Sequence, residues 1–178
     1  MSHATRTARP AVLLAGLLLA PAALAGGPYV VHTLSPCRVV DTREADPALS
    51  SFSGERLSAG ETVSFFVTGN LDGQGGEDDC GVPDTATGVF LNVTAVRPQG
   101  SGAAGYLTLY PWGEDPPTAS TINYKADTLS IANGVLVPLC EPTGGACDFD
   151  LNVYNFTSLA VHLVIDVTGY LAVPPPAP

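Results

Sequence analysis

The chain has 178 residues, of which 17 are acidic and seven are basic, and its formal net charge at pH 7 is −10. So acidic a surface repels phosphate backbones and anionic lipids, which argues against nucleic-acid binding and against electrostatic docking on membranes. The charge favours cationic partners and calcium, and it also suits an exported protein that must stay soluble.

Residues 1–25 have the three parts of a secretory signal peptide: Arg6 and Arg9, an apolar run over residues 11–24, and the small-residue exit Ala23-Leu24-Ala25. We predict cleavage before Gly26 and no membrane insertion afterwards, because the run is shorter than the roughly 20 apolar residues that span a bilayer. Cleavage removes two of the seven basic residues and none of the 17 acids, so the mature charge is 5 − 17 = −12. The expected location is extracellular, or periplasmic if the host has an outer membrane.

After Gly26 the apolar residues come in short runs with period-two alternation, interrupted by Gly, Pro, Asn and Asp. Residues 26–172 are predicted to form one antiparallel β-sandwich, immunoglobulin-like or jelly-roll-like, followed by a proline-rich tail at residues 173–178. The last strand is the most hydrophobic and is expected at the centre of a sheet. About nine strands are predicted, at residues 29–34, 37–41, 61–68, 88–96, 106–110, 118–125, 134–139, 147–154 and 159–170.

The four cysteines are predicted to form two disulfides, because an even count in an exported protein indicates disulfides before metal. Cys140 and Cys147 flank a turn-like segment, so we pair them across a hairpin, which leaves Cys37 with Cys80. A zinc site would need tighter Cys-x-x-Cys or His spacing. On the chain-entropy model the longer loop contributes about 4 kcal/mol and the hairpin about 2.5 kcal/mol.

Two acids, Asp41 and Asp166, lie at the end of one predicted strand and inside the most apolar one. A carboxylate in such a place is costly unless it is paired or hydrogen-bonded. We predict that Arg38 or Arg43 pairs with Asp166 or Asp41, in a structural and not a catalytic role.

Asn92 and Asn155 stand in Asn-x-Thr sequons. Both lie in or beside predicted strands, whereas glycan acceptors lie on surface loops. We interpret both as polar groups of strands.

No catalytic constellation is evident, and no catalytic residue is assigned. The sequence has no Gly-x-Ser-x-Gly elbow, no His-Glu-x-x-His and no phosphate loop in the context of a strand and a helix. His32 and His162 are the histidines that follow the leader, and neither has a recognisable triad context. Because no pair of acids is singled out for a glycosidase, we expect no enzyme.

Two groups of residues are candidates for binding. An acidic, glycine-rich segment at residues 70–79, which we call the acidic loop, supplies oxygen ligands that could hold calcium as a cofactor, although it does not fit the helix-loop-helix calcium pattern. The alternative is a solvated acidic turn. The candidate ligands are Asp72, Glu77, Asp78 and Asp79. A predicted aromatic platform for stacking against sugars, with ordinary packing as the alternative, consists of Tyr106, Tyr110, Trp112 and Tyr124.

Six motifs in a fixed order carry a resemblance that covers residues 33–171. They are PCRVVDTR at residues 36–43, CGVP at 80–83, LNVT at 91–94, GYLTLYP at 105–111, TINY at 121–124 and IDVTGY at 165–170. In that order they resemble a recurring β-rich domain of secreted bacterial proteins, found alone, in tandem, or attached to peptidases and glycan-active enzymes. Similar domains often have Ala-Gly-Gln-Thr-Arg after the Asn-Tyr strand, where this chain has ADTLS at residues 126–130. A site that depends on that arginine is therefore not expected here. A second departure is the predicted Cys140–Cys147 hairpin disulfide, which is not a general feature of similar domains.

The sequence therefore predicts a secreted, non-catalytic binding or surface-interaction module that recognises a cell-surface glycan or another envelope component, including an envelope protein. The alternative from a different class is a structural subunit that assembles edge to edge. A secreted hydrolase is the weaker reading, and the oligomeric state is left open.

Overall fold

The computed structural model describes residues 28–46, 55–141, 146–156 and 158–174. The predicted leader and most of the predicted tail lie outside these ranges. The described residues form eight β-strands and one short 3₁₀ turn, Asp72–Gln74. The strands are β1 (Val30–Asp41), β2 (Thr62–Phe65), β3 (Ala86–Gly100), β4 (Ala104–Pro111), β5 (Ile122–Lys125), β6 (Ser130–Pro138), β7 (Leu151–Phe156) and β8 (Leu159–Ala172).

The strands form two antiparallel sheets of four. Sheet 1 has the order β1-β8-β3-β6, and sheet 2 has the order β2-β7-β4-β5. The all-β prediction is confirmed, and so is the central place of the last strand, because β8 pairs with both β1 and β3. Both of its neighbours therefore protect its backbone hydrogen bonds, as its hydrophobic sequence indicated.

The two sheets share one hydrophobic cluster. Alternate residues of each strand face it, as period-two alternation requires. From β3 and β8 the buried set is the predicted one: Val89, Leu91, Val93, Ala95, Val161, Leu163, Ile165 and Val167. Sheet 2 supplies the other side, with Val63, Phe65, Leu107, Leu109, Ile122, Leu151 and Val153.

The strand count differs from the predicted nine because residues 29–34 and 37–41 belong to one strand. The pairing of β1 with β8 shifts register between Thr33 and Cys37, so the chain bulges there without ending the strand. Pro36 lies in this bulge, where the missing N–H of a proline costs no ladder hydrogen bond. Two other strands begin later than predicted, at Ile122 and Leu151.

Both predicted disulfides, Cys37–Cys80 and Cys140–Cys147, are present. The predicted hairpin is not, because β6 lies in sheet 1 and β7 in sheet 2. The Cys140–Cys147 bond instead closes the connection between the two sheets. Disulfides are compatible with an extracellular or periplasmic protein, and no described helix is long and apolar enough to cross a membrane.

Candidate functional site

An ion-pair network joins β1 to β8 on the outer face of sheet 1. Arg38 pairs with the Asp166 carboxylate, and its Nη1 lies 3.1 Å from Asp41 Oδ2. Arg43 donates from Nε to Asp41 Oδ1 at 2.7 Å. The predicted pairing of two arginines with two acids therefore occurs as one connected network.

Backbone register creates this network from residues far apart in the chain. Arg38 stands opposite Asp166 in the β1–β8 pairing, and the register shifts again between Arg38 and Val40. The acidic loop packs behind it: Gly75 has a positive φ of 75°, and a Cβ there would lie 2.3 Å from the Asp41 carbonyl oxygen. Only glycine fits this close approach.

The carboxyl group of Asp41 is 4% exposed, and its arginine partners hold it ionised. Burial acts to raise its pKa, but hydrogen bonds from the Arg43 side chain and backbone N–H, together with the charges of Arg43 and Arg38, lower the pKa below its usual value. The hydrogen bond with Asp41 correspondingly raises the pKa of Arg43. Asp41 is thus a fixed negative charge that anchors two guanidinium groups.

Next to this network lies a cleft of about 580 Å³, which we call the arginine cleft. Four arginines line it, together with His162, Ser130 and Asp166. Only five basic residues follow the predicted leader, so four of the five line one concave surface. The arginines are Arg38, Arg43, Arg56 and Arg97.

Arg56 and Arg97 differ from the other two because neither forms an ion pair with any residue that the structure describes. Arg56 precedes Leu57, which bridges to Val161 of β8, and the Arg56 Nε donates to the Arg97 carbonyl oxygen at 3.2 Å. Within the described ranges Arg97 is the one non-glycine residue with a positive φ, 46°.

The unusual backbone of Arg97 coincides with a register shift between Val96 and Gln99 in the β3–β8 pairing. Such bulges redirect side chains and are enriched at functional sites, as are residues in unfavourable backbone conformations. Arg97 lines the cleft at this bulge, and none of the carboxylates that the structure describes forms an ion pair with it.

His162 supplies a neutral donor to the same cleft. Its Nδ1 lies 3.1 Å from Thr42 Oγ1, which also accepts a hydrogen bond from the Leu163 N–H at 3.0 Å. Burial lowers the pKa of His162, and the charges of Arg56 and Arg43 lower it further against the opposing effect of Asp41. We therefore assign the Thr42 hydroxyl as donor to Nδ1, which leaves the proton on Nε2.

The predicted platform of four exposed aromatic residues is wrong, although two of the four, Tyr106 and Tyr124, line the same depression. Tyr110 and Tyr124 are buried, and the Tyr124 hydroxyl donates to the buried Asn155 amide oxygen; burial also raises the pKa of Tyr124. Trp112 lines a separate depression beside the Cys140–Cys147 disulfide. Tyr106 is the member that stacks in the open, on Phe156, which the sequence analysis did not single out.

The acidic loop does not bring its four carboxylates together. In the part of the chain that the structure describes, no group of three or more His, Cys, Asp or Glu residues is arranged to hold a metal ion. Asp79 accepts a hydrogen bond from the Gly81 N–H at 2.7 Å. The pKa of Asp78 is raised by a hydrogen bond with Asp72 and by the nearby charges of Asp72 and Glu77. Glu77 donates its backbone N–H to Arg38 O at 2.9 Å.

This loop is also less solvated than its composition indicated. Leu71 is fully buried, and the buried Gln74 amide donates to the carbonyl oxygens of Val39 and Phe66 at 2.9 and 2.7 Å. The loop is thus a structural support behind Asp41.

Sequence reasoning missed Arg56 and Arg97 as site residues. The signal that could have identified them is the small number of basic residues after the predicted leader. A chain with so few basic residues has few reasons, other than a shared role, to place them together. Comparisons with protein-family models and with curated proteins return no match to this chain.

Proposed function

We propose that the chain is a secreted, non-catalytic binding module that recognises an anionic component of the cell envelope through the arginine cleft. The observation that carries the proposal is that four of the five basic residues after the predicted leader line one cleft of a chain with 17 acids. An acidic glycan is the ligand class we favour.

The chemistry of the cleft supports an anion. Guanidinium groups present planar forks of donors that match carboxylate oxygens, and charge-assisted hydrogen bonds of this kind are the strong ones. Four arginines in one place repel one another, and Asp41 and Asp166 offset only two of the four charges. A ligand carboxylate between Arg56 and Arg97 relieves the remaining repulsion.

A binding role is also supported by the ion pairs of Asp166, which lines the cleft, and of Asp41, which lies next to it. Asp166 and Asp41 are engaged by arginines, so their charge is already used to hold the cleft in shape. As the scaffold we propose an antiparallel β-sandwich, supported by the single hydrophobic cluster to which both sheets contribute.

Removal of either unpaired guanidinium is expected to weaken the binding of glucuronate, the smallest acidic sugar probe, by about tenfold, or about 1.4 kcal/mol. The variants are Arg56→Ala and Arg97→Ala, and the measurement is an NMR titration at low and at high salt. Binding should weaken as salt rises, because part of it is electrostatic.

The matched control is Thr62→Glu on the exposed surface of β2, which lowers the net charge by one just as each arginine variant does. It should leave the glucuronate affinity unchanged. Equal affinities for the control and both arginine variants, or no binding to the parent protein, would remove the cleft as the site.

Edge-to-edge assembly is the second candidate function, and one observation favours it. β6 is an edge strand of sheet 1, its residues Ser130–Pro138 include no charged side chain, and Ile131 and Leu136 are 40% and 50% exposed. Long uncharged edges are templates for pairing with another strand.

If β6 pairs with a second copy of the chain, light scattering should show a dimer at micromolar concentration. Ala132→Lys, which puts a charge on this exposed edge, should then return the protein to a monomer. A parent protein that is monomeric throughout the concentration series would exclude assembly through β6.

A further inference from the structure

A second depression, of about 500 Å³, lies beside the arginine cleft; we call it the aromatic hollow. The Tyr106 and Phe156 rings stack at its side with centroids 4.8 Å apart and an interplanar angle of 21°. Phe156 is 51% exposed and Ile131 40% exposed, so the hollow holds apolar surface in contact with water. Polar groups surround that surface, among them Asn123, Lys125 and Ser158.

This composition suits a sugar ring better than an apolar ligand. A pyranose has an apolar C–H face, which an exposed aromatic ring can cover, and hydroxyl groups at its rim, which need polar partners. Binding sites commonly combine an apolar lining with a few polar groups that fix orientation. The Asn123 amide, the Ser158 hydroxyl and the Lys125 ammonium provide such groups.

The cleft and the hollow share one wall. Leu129 and Ser130 line the arginine cleft, whereas Thr128 and Ile131 line the aromatic hollow. Within β6, the neighbouring residues Ser130 and Ile131 point to opposite faces of the strand, so the two depressions lie on the two sides of β6 where it begins. Among the described strands, none pairs with the free side of β6, so the wall lies at an edge of sheet 1, next to Leu129, which is 77% exposed.

Arg97 ties this wall to the cleft, because its backbone N–H donates to the Leu129 carbonyl oxygen at 3.0 Å. The same residue lines the cleft at the bulge of β3. Together with Lys125 in the hollow, the two depressions contain all five basic residues that follow the predicted leader.

We infer that the cleft and the hollow are two subsites for one acidic polysaccharide, which crosses the edge at Leu129. An acidic sugar lies in the arginine cleft, and a neighbouring neutral sugar stacks in the aromatic hollow. The inference rests on the proposed function, since it uses the arginine cleft as the anion site, and it adds the polymeric nature of the ligand and its second contact.

The test compares three probes by calorimetry: the glucuronate monomer, a hyaluronan hexasaccharide in which glucuronate alternates with N-acetylglucosamine, and the neutral N-acetylglucosamine hexamer. The hexasaccharide is expected to bind at least tenfold more tightly than glucuronate, because linked subsites add their contributions. The neutral hexamer should bind at least tenfold more weakly than the hexasaccharide.

The deciding variant is Phe156→Ala, which removes an exposed ring and should leave the fold intact. It is expected to weaken hexasaccharide binding about tenfold and to leave glucuronate binding unchanged, while Phe156→Tyr retains the parent affinity for both. Arg97→Ala should weaken both.

Failure of the inference and failure of the proposed function give different results. If glucuronate binds in the cleft but Phe156→Ala does not affect the hexasaccharide, the second subsite is overturned and the anion site stands. If neither Arg56→Ala nor Arg97→Ala affects either ligand, the proposed function itself is overturned. A hexaglutamate peptide that binds as tightly as the hexasaccharide would overturn the assignment to polysaccharide.

Discussion

Replacement of Asn155 by alanine is expected to lower the free energy of unfolding by about 3 to 5 kcal/mol, and the melting temperature by about 10 °C or more. The Asn155 side chain is fully buried. Its Nδ2 donates to the carbonyl oxygens of Leu57, Ser58 and Leu159 at 3.0, 3.1 and 2.8 Å, and its Oδ1 accepts from the Tyr124 hydroxyl. Alanine would leave these groups without the partner that Asn155 provides, at roughly 1 to 3 kcal/mol for each buried group.

Thermal unfolding followed by circular dichroism measures this effect, with two matched variants. Asn123→Ala removes an exposed amide that bonds only Ser120 Oγ among the described residues, and it should shift the melting temperature by no more than about 2 °C. Tyr124→Phe deletes one of the four bonds and should fall between the two. An Asn155→Ala protein as stable as the Asn123→Ala protein would contradict the structural role of this amide.

Asn155 illustrates what alternation in the sequence can and cannot predict. Its place in β7, with Val153 and Leu151 on the same face, identifies it as a core-facing residue of a strand. Its full burial agrees with the interpretation of this asparagine as a polar group of a strand. The carbonyl groups that it bonds belong to residues 57–58 and to the first residue of β8, Leu159, so its partners could not be read from β7 alone.

The aromatic platform failed for a related reason. Tyr124 shares a face with Ile122, opposite the exposed Asn123 and Lys125, so the alternation of β5 itself indicates that Tyr124 faces the core and not a surface platform. Tyr110 is on the outer face of β4 beside Tyr106, yet it is buried because the chain after β4 folds back, with Thr108 Oγ1 donating to Ala119 O at 2.9 Å. Burial of a strand's outer face by a later part of the chain leaves no pattern in the sequence of the strand itself.

Two of the four arginines that line the cleft could be predicted from the sequence. Arg38, Arg43, Asp41 and Asp166 were identified because acids in apolar strands need partners. Arg56 is positioned by the single bridge at Leu57, and Arg97 by the bulge after Val96. Neither feature has a sequence signal strong enough to place a side chain.

Asp41→Asn is expected to lower the free energy of unfolding at pH 7 by about 2 to 3 kcal/mol. Asparagine keeps the shape of the side chain, but its amide turns N–H donors toward guanidinium donors and removes the buried counter-charge. Loss of one partner of a fully buried pair costs about 3 to 5 kcal/mol; the lower value is expected here because Arg38 and Arg43 are 35% and 45% exposed and keep part of their hydration.

The pH dependence of this difference identifies Asp41 as its source. The pKa of Asp41 in the folded protein lies below the unfolded value of about 3.8, so its stabilising contribution is complete well above that value and is lost as the pH falls through the folded pKa. The gap in unfolding free energy between the parent and Asp41→Asn should therefore be constant above about pH 5 and should shrink below pH 3.8. A gap that does not change with pH would mean that the charge of Asp41 is not the cause.

The same variant should bind anions more tightly, although it is less stable. With a neutral side chain at position 41, Arg43 loses its carboxylate partner and Arg38 keeps only Asp166, so the cleft gains one positive charge. We expect this charge to raise the affinity for glucuronate about threefold. Glu114→Gln changes the net charge equally at the Trp112 depression and should not alter the affinity. Tighter binding with lower stability is the combination that a cleft built to hold anions predicts, whereas a purely structural ion-pair network predicts lower stability alone.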